Sequence, residues 1–231
     1  MSQQYRWGGL AGVAGGLLFI FVFVFVGVVV GADTSVAAFP DIRVGRTVEN
    51  ALYLAVLLLW VAPFLVLGRA LRETRPGAAT YGSVVGVVGL GILAAGALPH
   101  AAGVAISDLY RAPGADQAAL TAAWQVNQAV MNMLLVTGLA IVPIGVIGVG
   151  IAMLGAPGFG AGIGRVSLAL GGIGVVAAVV LLIDPLSPVA AIGFFALIAF
   201  NLAVGWKLYS LSRAAVMRPA TGPAVTGRSV G

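Results

Sequence analysis

Six apolar runs, at about 8–31, 48–68, 81–104, 127–154, 165–184 and 188–208, decide what this chain can fold into. About 20 mostly apolar residues cross a bilayer's ~30 Å of hydrocarbon as a helix. The segments between the runs carry charge and turn residues: RETRPGAAT, SDLYRAPGADQ, GAPGFGAGIG and DPLSP. An open sheet edge in lipid would leave backbone groups unpaired, so the spans are helical. The fold expected is all-α, a polytopic transmembrane bundle of six spans in one domain over 1–212. A Pro/Gly/Thr-rich, weakly basic stretch follows over 213–231 and reads as a disordered cytoplasmic tail.

Composition agrees. Hydrophobic residues make up 61% of the chain and charged residues 8%, against about 25% charged in a soluble domain. Seven acids and twelve bases cannot cover a water-facing surface of 231 residues. With no cysteine, disulfides, thiolate nucleophiles, iron–sulfur clusters and thioether haem attachment are excluded. A single histidine, His100, excludes bis-histidine haem and multi-histidine zinc sites within one copy. No metal and no cofactor is expected.

A pI near 10.2 would suit nucleic acid, but the positions of the bases point to the lipid bilayer instead. Odd-numbered loops hold Arg43, Arg46 and Arg111. The termini and even-numbered loops hold Arg6, Arg69, Arg72, Arg75, Arg165, Lys207, Arg213, Arg218 and Arg228. Nine bases against three place both termini in the cytoplasm of a multi-pass cell-membrane protein. Six acids (Asp33, Asp41, Glu49, Asp108, Asp116 and Asp184) fall outside and Glu73 inside. The run from Leu10 to Gly31 exceeds a signal-peptide core, so the first span is read as retained, with cleavage near Ala32 as the alternative.

Small residues recur at close spacing in helices 1, 3 and 5: Gly8, Gly12 and Gly16; Gly82, Gly86, Gly91 and Ala95; Ser167, Gly171 and Gly174. Such stripes let helix backbones approach closely. Pro63, Pro99 and Pro143 are expected to interrupt helices 2, 3 and 4.

The stretch WQVNQAVMNMLL opens helix 4 with four amides. At about 100° per residue, Gln125, Gln128 and Asn132 share a stripe with Thr121, and Asn127 points away from it. Counted along their helices, these amides, His100, Asp184, Glu49 and Asn50 all fall at the outer edge of the hydrocarbon. Converging, Glu49, Asn50, His100, Gln125, Gln128, Asn132 and Asp184 would form an outward-facing polar layer able to bind a small solute, a cation or a lipid headgroup. The competing explanation is that polar residues simply gather at helix ends. Asn201 lies deeper, about 14 residues into helix 6, and is expected to make an interhelical hydrogen bond. No charged residue sits mid-span, which argues against ion-coupled transport. No paired mid-span catalytic groups exist, so an enzyme is the least supported class. The alternative to a binder or transporter is an accessory subunit, packing its glycine faces against another membrane protein or a second copy.

RWGGLAGVAGGLLF, FPDIRVGRTVENALYL, AALTAAWQVNQAV and LIDPLSPVAAIGFFALIAFNLAVGWKLY together resemble a six-span family of prokaryotic integral membrane proteins defined as a domain of unknown function. The likeness covers about residues 6–212 and implies the topology. It implies no catalytic residue and no cofactor.

Overall fold

The computed structural model describes residues 2–31 and 35–217; Asp33 and most of the expected tail lie outside them. Its helices are α1 (Ser2–Phe25), α2 (Phe39–Ala70), α3 (Pro76–Ala95), α4 (Leu98–Tyr110), α5 (Gln117–Met153), α6 (Gly160–Ile183) and α7 (Val189–Met217), and α1 continues into a π-helical turn over Val26–Val30. No strand occurs among the described residues, and six helical stretches there are long and apolar enough to cross a membrane, α3 and α4 counting as one. The fold is a polytopic six-span helical bundle. Its helices close a ring in the order α1, α2, α3, α5, α6, α7. Trp60, Phe64, Phe200, Leu90 and Leu139 are fully buried within it. Both ends of the described chain lie at one end of the bundle, because Gly9 of α1 packs on the backbone of Tyr209 in α7. That end is here termed terminal, the opposite one distal.

Two helices outreach the bilayer. α2 has 32 residues and α5 has 37, about 48 and 55 Å at the α-helical rise, against ~30 Å of hydrocarbon. α2 therefore starts nine residues before the apolar run that marks it (39 against 48), and α5 starts at the amphipathic stretch from Asp116. The Asp116 carboxylate accepts from the Ala119 N–H at 3.0 Å and caps that start. The third span is two helices. Pro99 has no N–H for the carbonyl of Ala95, and its ring crowds that carbonyl; α3 ends at Ala95 and α4 resumes at Leu98. Pro63 and Pro143 stay inside continuous helices. A neighbouring glycine makes room for each ring: a Cβ at Gly12 would lie 3.1 Å from Pro63 Cγ, and one at Gly174 2.6 Å from Pro143 Cγ. The π-helical turn closes at Gly31, whose φ of 76° suits glycine alone, with the Gly31 N–H on the Val26 carbonyl.

The glycine stripes are internal seams. α1 lies on α7 through Gly9, Gly12 and Gly205, with Gly12 held 3.0 Å (at the Cβ position) from the Asn201 carbonyl. α3 lies on α5 where Gly82 and Gly86 meet Gly145 and Gly148, and α6 lies on α5 where Gly164 meets Gly150. All these seams occupy the terminal half. In the distal half the facing positions are instead large: Phe19, Phe23, Tyr53, Met131, Leu135 and Phe194. The bundle is tight at one end and splayed at the other.

Gly86 and Gly172 separate seam from lipid face. A side chain at Gly86 would collide with the Phe64 ring, whereas one at Gly172 meets nothing within 4 Å. Gly86→Leu should destabilise the bundle by about 3 kcal/mol and Gly172→Leu by less than about 0.5 kcal/mol, read by thermal unfolding of the purified protein. Equal melting temperatures for the two variants would refute the seam.

Candidate functional site

The splayed half encloses a partly open cavity of about 540 Å³, within the range of small-molecule sites (roughly 300–1,000 Å³). Five spans line it. α1 and its π-helical turn contribute Phe19, Val22, Phe23, Val26 and Gly27; α2 contributes Phe39, Arg46, Glu49, Asn50 and Tyr53; α7 contributes Ala190, Ala191 and Phe194. The α3–α4 break contributes Leu93, Gly96, Pro99, His100 and Gly103, and α5 contributes Trp124, Asn127, Gln128, Met131 and Leu135. On α2 the lining residues 46, 49, 50 and 53 follow the i, i+3, i+4, i+7 rule for one helix face.

The lining is graded. Leu93, Leu135, Phe19 and Phe194 make an apolar floor, where the Phe19 and Phe194 rings stack at 5.1 Å and Phe19 also meets Tyr53 at 6.0 Å. Polar groups begin at Tyr53 and continue toward the distal end through Asn50, Glu49 and Arg46. Arg46 donates to Glu49 at 2.9 Å, one turn along the same helix, and its other guanidinium nitrogen reaches the Gly31 carbonyl at 3.5 Å. His100 Nε2 and the Thr47 hydroxyl lie 3.2 Å apart; that hydroxyl already donates to the Arg43 carbonyl. Asn127 donates to the Pro99 carbonyl at 2.9 Å, tying α5 to the helix break.

A small cap sits over the polar part. Val36, Phe39 and Trp124 form a second apolar cluster apart from the main core, with Phe39 edge-on to Trp124 at 5.1 Å and tilted against His100 at 5.8 Å. Two ion pairs fasten α2 to the α4 end, Arg43 to Asp108 at 2.6 Å and Arg111 to Asp41 at 2.8 Å. Such exposed pairs are worth no more than about 1 kcal/mol each. They orient the cap more than they stabilise it. Every ion pair among the described residues is at this end.

Of the polar layer expected from the sequence, Glu49, Asn50, His100 and Gln128 line the cavity. Gln125 is exposed, and neither it nor the half-buried Asn132 is part of the lining. The stripe meets the cavity only in part: the lining face of α5 is Trp124, Asn127, Gln128, Met131 and Leu135, which includes Gln128 of the stripe and Asn127 from outside it. The apolar members Trp124, Met131 and Leu135 mark that face and were the signal to follow. Asp184 is also outside. It follows α6, the one span absent from the lining, and its carboxylate accepts from the Leu186 N–H at 3.2 Å in the turn before α7. Asn201 is buried as expected but bonds within its own helix, Nδ2 donating to the Leu197 carbonyl at 2.9 Å. Asn201 Oδ1 and the buried Trp60 indole N–H have no hydrogen-bond partner among the described residues. Tyr53, which is not among the residues expected from the sequence, also lines the cavity.

No group of three or more metal-ligating side chains occurs among the described residues, and Arg46 and Glu49, the charged lining residues, satisfy each other. The arrangement offers hydrogen bonds above and apolar contact below, which is the chemistry of binding. No protein-family model, no curated protein and no solved structure matches the chain.

Proposed function

We propose that this chain is a non-enzymatic multi-pass protein of the cell membrane, with both termini cytoplasmic, that binds a small ligand in a cavity facing outward and hands it across or along the bilayer. The observation that carries this reading is the cavity of about 540 Å³ under the ion-paired cap, where Asn50, His100, Asn127 and Gln128 come together from three helices. Polar residues gathered at helix ends merely to face water would not enclose a common space.

Orientation is supported by the charges. Arg43, Arg46 and Arg111 lie at the distal end, and Arg6, Arg69, Arg72, Arg75, Arg165, Lys207 and Arg213 at the terminal end. The side richer in Arg and Lys is the cytoplasmic one. The likeness to a six-span family of unknown function adds to the topology alone. An accessory subunit docking through its glycine stripes finds less support, because Gly12 and Gly86 already face other helices of this bundle.

Two measurements test the reading. The chain has no cysteine, so single cysteines report sidedness directly. In intact cells a membrane-impermeant thiol reagent should label Leu186→Cys and spare Gly77→Cys; the reverse pattern would overturn the orientation. Native mass spectrometry of mildly extracted protein should show about one small-molecule adduct per chain, lost in Ala191→Trp, whose indole would occupy the cavity. The same spectrum from both proteins would overturn the binding function.

A further inference from the structure

Resting on that reading of the cavity, we infer that its ligand is an amphiphile whose head carries no charged group, neither ionic nor zwitterionic, its apolar end between Phe19 and Phe194 and its oxygen-bearing end among Asn50, Tyr53, His100 and Gln128. Three features point there. The first is polarity along the cavity. Phe19 to Gly27 spans about 12 Å of helix, and over that depth the wall passes from wholly apolar at Leu93, Leu135 and Phe194 to hydrogen-bonding at Asn50 and Gln128. A sugar or amino acid reaching the floor would strand polar groups against aromatic rings, which is unfavourable for every group left unpaired.

The second feature is unspent hydrogen-bonding capacity. The amides of Asn50 and Gln128 and the Tyr53 hydroxyl make no hydrogen bond with another described residue. His100 engages Thr47 through Nε2 and leaves Nδ1 over. These groups include donors and acceptors, so they suit hydroxyl, carbonyl or ester oxygens in either role. Tyr53 stands at the boundary of the two zones, its ring packed on Phe19 and edge-on to Phe194 at 6.3 Å.

The third is charge. Arg46 and Glu49 are the charged groups of the lining and are bonded to each other at 2.9 Å. A carboxylate or phosphate head beside this pair would meet the like charge of Glu49, and an ammonium head that of Arg46, so the paired lining favours neither sign. A neutral head disturbs nothing.

The test uses full-length protein in phosphatidylcholine nanodiscs and radiolabelled probes that share one acyl or alkyl chain: monolaurin (neutral), laurate (anionic) and dodecyltrimethylammonium (cationic), with glycerol as a chainless control. Binding is measured above partition into empty discs. Monolaurin should bind saturably at about one per chain, at least roughly tenfold tighter than either charged probe, and glycerol should not compete. Asn50→Leu with Tyr53→Phe should weaken monolaurin about tenfold; Gln128→Leu, in a different helix, should weaken it in the same direction if the double variant does not fold. A charged probe binding tightest overturns the neutral head, and competition by glycerol overturns the amphiphile. No saturable binding by any probe, with an adduct still present in native protein and lost in Ala191→Trp, sinks the ligand class and leaves the binding function standing. The absence of both sinks the two together.

Discussion

The structure depends on close backbone contact at glycine seams in one half of the bundle. Within lipid, helices gain little from apolar burial as such, because acyl chains are as apolar as leucine; packing and backbone approach must hold them. Gly9, Gly12 and Gly205 bring α1 onto α7, and Gly82, Gly86, Gly145 and Gly148 bring α3 onto α5. A Cβ at Gly9 would come within 2.7 Å of the Gly205 carbonyl oxygen, so these contacts admit no other residue unchanged. Held this tightly at the terminal end and spaced by rings at the other, straight helices must diverge. The cavity is the geometric result of that divergence, which is why it starts at Phe19, Leu93, Leu135 and Phe194, just past the seams.

The prolines serve the same plan. Pro63 and Pro143 pass through the tight half without ending their helices because Gly12 and Gly174 receive their rings. Pro99 stands where the distal half opens; there the chain breaks, and Pro99 and His100 enter the cavity lining. The freed α4 then turns its end toward α2, where Arg43, Asp41, Asp108 and Arg111 pair in salt bridges that cross between the two. One missing N–H thus changes a sixth of a ring into part of a cap.

How much of this was legible in the sequence follows from what each signal reports. Apolar runs report solvent, so the six spans and the even crossing number were readable from them. Run boundaries report where lipid ends, not where a helix ends, so α2 was read as starting at 48 although its polar first turns are helical from Phe39. Depth along a helix is readable from residue counts, and Glu49, Asn50, His100 and Gln128, counted to one level, line one cavity. Azimuth is not readable from polar residues alone. Gln125 and Asn132 are counted to the same level yet are not part of the lining, and Asp184 follows the one span that takes no part. Trp124, Met131 and Leu135 carried the azimuth, because the inner face of a membrane helix is recognised by its large side chains as much as by its amides. Asn201 is buried, but its amide donates within its own helix, to the Leu197 carbonyl, and depth alone does not tell the two kinds of bond apart.

The central claim, a bundle closed at the terminal end and open at the distal end, is tested most directly by a depth profile of single cysteines down α7, read with a small water-soluble methanethiosulfonate in the reconstituted protein. Ala190, Ala191 and Phe194 line the cavity, while Leu197, Asn201 and Val204 are at most 2% exposed. Cysteines at the first three positions should react, and those at the last three should not. Protection at all six, or reaction continuing past Leu197 to Val204, would contradict the account.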